Sequence, residues 1–206
     1  MLFATPWWVN LLLLVPVISF LSWRNKRLAL TWATLAFAAA FAVAFGFVEA
    51  AVVDYLRGNI PELMRQAAAI SAPNDSYLQK FPQALLHIET IREAATMVML
   101  VSVALLAAPR GRERWAIFLW CFAWWDATYY LGLWVTINWP TSLRNLDVLF
   151  LIPQPWYAEV WYPLLVCGLT LAAVILGKAS AEQQTVLTTE VTAQAFSSNQ
   201  VEAEVR

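Results

Sequence analysis

Four acidic residues and one arginine sit inside stretches that are otherwise apolar enough for a lipid bilayer. The densest group lies in the run from Leu85 to Ala108, LLHIETIREAATMVMLVSVALLAA, whose first half carries Glu89, Arg92 and Glu93. Ionisable groups at such a depth are costly in hydrocarbon, so they face a protein interior or a wet cavity and mark function. At roughly 100° per residue, Glu89, Arg92, Glu93 and Thr96 share one helical stripe. Glu49 stands near the end of a preceding apolar stretch, and Asp126 lies in the middle of a later one, followed by Tyr129 and Tyr130. Asp126 and the two tyrosines also share a helical face.

Charge balance sets the chemistry open to these groups. Glu49, Glu89, Glu93 and Asp126 oppose only Arg92, and an excess of carboxylate in a low dielectric must be neutralised. A bound cation or protons on some carboxyls would do so. Carboxylates projecting from several helices are the usual way to hold iron or manganese in a bundle. Here the Glu-x-x-His pattern is missing, and an oxygen-only donor set favours Mg, Ca or Mn over Zn or Cu. The expected cofactor is therefore a divalent metal ion held by Glu49, Glu89, Glu93 and Asp126. In catalysis Arg92 would orient an anionic substrate or intermediate, and Tyr129 or Tyr130 would donate a proton. The substrate would be lipid-soluble or reach the site from the outer face. The single histidine, His87, falls on roughly the opposite face of a regular helix and reads as a cap or loop contact.

Two other readings stay open. The acids could form a relay in a small proton- or cation-coupled transporter, with Arg92 tuning them. Alternatively, the network could only fix helix packing in an accessory subunit of a larger membrane complex. No retinal lysine, haem histidine pair, Gly-x-Ser-x-Gly, P-loop or zinc-protease helix is present, so no catalytic motif decides among them.

The elements that must position these residues follow from hydropathy. The chain has 206 residues, 61% of them hydrophobic, with 12 tryptophans; several close apolar runs, as amphipathic rings do at a headgroup region. The expected fold is all-α: a polytopic membrane bundle with approximate crossings at 7–23, 28–53, 85–108, 115–137 and 156–177. Residues 54–84 and 138–156 would form an outer cap and residues 179–206 a disordered polar tail. A short helix is expected from 59 to about 70, irregular loop over 71–82, and another short helix at the interface within 138–157. Pro16 should kink the first crossing. With no basic n-region and no cleavage site, that crossing reads as retained rather than as a signal peptide. Ala38, Ala42, Gly46 and Ala50 recur every fourth residue, a spacing that lets a neighbouring helix approach closely.

Orientation follows from basic residues. Arg24, Lys26 and Arg27, then Arg110, Arg112 and Arg114, then Lys178 fall on one side; Arg57, Arg65, Lys80 and Arg144 fall on the other. The richer side is cytoplasmic, which places the N-terminus outside and the C-terminus inside, in a bacterial-type inner or plasma membrane. Glu49 then lies about 6 Å inside the outer boundary and Asp126 about 16 Å, with Glu159 starting the last crossing near the same surface. Net charge of −1 and the lack of a basic face or stacking module argue against nucleic acid. Membrane lipid is the expected surrounding, and the expected partners are further copies of the chain or a larger membrane complex. Cys121 and Cys167 lie in apolar stretches at no ligand spacing.

Overall fold

The computed structural model describes residues 3–24, 28–59 and 83–179. The helix expected over 59–70, the loop over 71–82 and the polar tail lie outside the described residues. The chain is mostly helical, as an all-α bundle requires. A short strand β1 (Ala4–Thr5) and a 3-10 helix (Trp7–Leu13) lead into α1 (Leu14–Trp23). Then come α2 (Trp32–Asn59), α3 (Gln83–Ala107) and α4 (Gly111–Ile137). Strands β2 (Leu146–Phe150) and β3 (Trp156–Glu159) precede the last helix, α5 (Trp161–Ala179).

Three helices are long and apolar enough to cross a membrane: Trp32–Tyr55, Leu86–Ala107 and Trp161–Ala179, with Trp7–Trp23 a shorter apolar helix. This is the make-up of a membrane protein. Large side chains on their outer faces are bare, Phe37, Ile91 and Leu106 among them. In water such faces would be an aggregation hazard, whereas lipid solvates them. The 27-residue α4 is not among the three. It carries Asp126, a charged first turn and many indole and phenol rings, because it is the axis on which the others pack.

The α2–α4 contact is set by small residues. Ala38, Ala42 and Ala50 are buried, and a Cβ added to Gly46 would lie 2.4 Å from the carbonyl oxygen of Trp125. The expected four-residue stripe is thus the seam against α4. Two polar contacts lock it: the Trp120 indole N–H donates to the Leu35 carbonyl at 2.9 Å, and the Cys121 thiol faces the Ala38 carbonyl at 3.6 Å. At the other end of α4, Asn138 adopts φ 56° and ψ 34°, a left-handed cap that Asn tolerates. Its N–H bonds the Trp134 carbonyl at 3.0 Å.

Two expectations are corrected. The first apolar run does not start as α-helix: it begins with the 3-10 turns of Trp7–Leu13 and becomes α-helical at Leu14. Pro16 then falls in the first turn, where its missing N–H costs little. The segment 138–157 holds no interfacial helix. It supplies β2 and β3, which with β1 form an antiparallel sheet in the order β1-β3-β2, pairing Ala4 with Ala158 and Asp147 with Ala158. Consequently the last helix starts at Trp161, not 156. The β-branched and aromatic residues of Val148–Phe150 and Trp156–Tyr157 suit a pleated surface, and Pro153 and Pro155 between them block a continuous helix. The segment Ala4–Val9 is bound to this sheet and to α5, since β1 pairs with β3 and the Tyr162 hydroxyl donates to the Val9 carbonyl at 2.8 Å.

Candidate functional site

The stripe on α3 meets α2 in a partly buried ionic network. Arg92 donates through Nε (2.9 Å) and Nη2 (2.7 Å) to Oε2 of Glu89, one turn earlier. Its Nη1 pairs with Oε2 of Glu49 on α2. The other Glu49 oxygen, Oε1, accepts the Thr96 hydroxyl at 2.7 Å. Glu49 is only 5% exposed and Thr96 is 1% exposed. One guanidinium thus sits between two carboxylates from different helices, inside two segments able to span a membrane. Helical spacing produces this directly: 89, 92 and 96 are three and four residues apart on one face. Glu49 lies one turn beyond Gly46, where α2 is pressed onto α4.

Glu93 belongs to the same stripe but does different work. Its Oε2 accepts the backbone N–H of Leu151 at 2.8 Å, which ties the end of β2 to α3. His87 is exposed, as its place on the far face of α3 implied.

A second polar cluster lies where α4, α5 and β2 meet. The Tyr130 hydroxyl donates to Oδ2 of buried Asp147 at 2.8 Å. The Cys167 thiol donates to Oδ2 of Asp126 at 3.3 Å, and Asp126 and Asp147 lie within electrostatic range of each other. Tyr129 stacks edge-on against Tyr130, with ring centroids 5.3 Å apart. Glu159 accepts the Trp161 indole N–H at 2.6 Å. Tyr130→Phe removes a hydrogen bond to a buried acid and should lower stability by about 1.5–3 kcal/mol. Thermal unfolding in detergent would measure it.

Of the seven residues expected in one chamber, the structure unites Glu49, Glu89 and Arg92. Glu93 is on the same stripe but bonded to the sheet. Asp126, Tyr129 and Tyr130 gather in the second cluster, with Asp147 and Cys167. Among the described residues no group of three or more His, Cys, Asp or Glu is arranged to hold a metal ion. Strand β2 connects the two clusters, contributing Asp147 to one and leading into Leu151 at the other.

No protein-family model matches the chain, and neither a characterised protein nor a solved structure is similar to it. Function must come from the clusters themselves.

Asp147 and Cys167 are the members that sequence reasoning passed over. A lone acid in the apolar run Leu146–Ile152 is the same signal that singled out Asp126, yet it carries weight only once that run is known to be buried. Cys167 gave no signal, because a cysteine in an apolar helix is an ordinary packing residue.

Proposed function

We propose that this chain is a five-crossing integral membrane protein whose Glu49–Arg92–Glu89 network is an intramembrane cation site serving membrane-embedded chemistry. The N-terminus is outside and the C-terminus cytoplasmic, in a bacterial-type inner or plasma membrane, so the network lies in the outer half of the bilayer. The observation that carries this reading is one guanidinium shared, among the described residues, by two carboxylates where α2 meets α3. Packing alone would be served by one acid and one base. Two acids that share one base form a site at which a proton or a metal cation binds. Arg92 holds both carboxylates in place and keeps the affinity for that cation low enough for release.

A coupled transporter uses the same site with the cation moving through, and a structural subunit uses it without exchange. Elemental analysis of the purified protein together with flux in proteoliposomes separates these. Stoichiometric metal, lost in Glu49→Gln and Glu89→Gln, assigns a metal centre of the oxygen-donor type. Gradient-driven proton or cation flux, lost in the same variants, assigns coupling. Neither signal, together with retention of partner subunits on purification, refutes the cation site.

A further inference from the structure

A second site lies away from the ionic network, at the end of α4. A groove of about 480 Å³ runs between α4, α5 and the loop after α4. Its walls are apolar at Ala127, Leu131, Trp134, Leu143 and Leu164, with the Tyr130 ring between them. Leu131, Trp134 and Leu143 are 57%, 55% and 57% exposed, so the groove opens onto the outward face of the bundle rather than into the core. From Trp134 down to Ala127 it descends about 10 Å along α4.

The end near the loop is polar. Thr141 and Ser142 line it. The Thr141 hydroxyl is already donated to Asn145, whereas the Ser142 oxygen accepts the Arg144 N–H and keeps its own proton to donate. Arg144 follows two residues later, exposed, and makes no ion pair among the described residues. Trp134 and Trp139 flank this level, and indoles at a helix end mark the headgroup region of a bilayer.

We infer that this groove binds one anionic phospholipid, its phosphate at Arg144 and Ser142 and an acyl chain lying along Leu131 to Ala127. Shape and charge agree on that occupant. The apolar trough descends from headgroup level into hydrocarbon, and exposed Arg144, whose backbone N–H is bonded to groove-lining Ser142, brings a positive charge within reach of a phosphodiester held there. The site is independent of the cation proposal, since it shares no residue with the Glu49–Arg92–Glu89 network.

Native mass spectrometry of the full chain in detergent tests this with added phosphatidylglycerol or phosphatidylcholine. Phosphatidylglycerol should be retained about fivefold better, the factor one basic residue near a headgroup supplies. Arg144→Gln, an exposed change that leaves the fold intact, should erase that preference while leaving some binding of both lipids. Leu164→Trp, which fills the trough, should lose both. Equal retention of the two lipids by the wild type overturns the proposal, as does a preference that survives Arg144→Gln. A lipid-free dimer would assign the groove to a second copy of the chain and overturn it equally.

Discussion

Replacing Arg92 with leucine is expected to destabilise the protein by about 3 kcal/mol, the lower end of the cost of stripping one partner from a buried ion pair, because Arg92 and Glu89 keep some exposure. Glu49 is buried and tied to Thr96, so it cannot turn to water when the guanidinium goes. Glu89 loses both of its bonds from Arg92. Two carboxylates would then stand at the α2–α3 contact without the guanidinium that links them. The loss should therefore be reversible by further mutation. Adding Glu49→Gln and Glu89→Gln to Arg92→Leu removes both stranded charges and should recover most of the stability, because apolar or neutral replacement of a whole buried network is often near neutral. Equilibrium unfolding in detergent across the single, double and triple variants reads this out. A purely additive series would mean that the three side chains do not act as one network.

Gly46→Ala is expected to be the most damaging small substitution on α2. Its new Cβ would lie 2.4 Å from the Trp125 carbonyl oxygen and 3.0 Å from the Thr128 Cβ. The first obstacle is backbone, so it cannot rotate away, and α2 must back off from α4 along the seam. Overpacking of this kind costs about 1–3 kcal/mol, and here the upper end is expected. Gly132→Ala makes a comparable clash, 2.6 Å from the Ala50 Cβ, but that obstacle is a side chain. Ala50→Gly should therefore rescue Gly132→Ala, while no such exchange rescues Gly46→Ala. Gly111 and Gly168 have nothing within 4 Å of an added Cβ, and their alanine variants should change stability by less than about 0.5 kcal/mol. Thermal melts of the five variants in one detergent test the whole pattern.

Much of this architecture is legible from periodicity. The long apolar runs locate the helices to within a few residues, since a run that is apolar all round has few other stable forms. The stripe from Ala38 to Ala50 announces close approach because small residues are otherwise wasted on a lipid-facing helix. The Glu89–Arg92–Thr96 stripe is legible for the same geometric reason. Helical spacing tells which residues share a face, however, and not which neighbour that face meets. Asp126 and Glu49 were expected in one chamber because both are acids on polar faces. The face bearing Asp126 turns instead toward Cys167 on α5 and Asp147 on β2. That partnership depends on the sheet, and the sheet was hidden. Its strands are only two to five residues long, and β1 reaches β3 across most of the chain. Local pattern carries no signal for a pairing between Ala4 and Ala158.

The two clusters meet at β2, and this gives the cation proposal a structural consequence. Glu93 holds Leu151 from α3, and Tyr130 holds Asp147 from α4. A shift of α3 when the network gains or loses its cation would be carried to the sheet through Leu151.

Cation stoichiometry is the measurement closest to the central claim. The protein, reconstituted in lipid nanodiscs, is titrated by calorimetry with divalent and monovalent cations and by potentiometry with acid. Wild type should take up one cation or one proton that Glu89→Gln does not. Identical uptake by wild type and Glu89→Gln would contradict the account and leave the network as a clamp between α2 and α3.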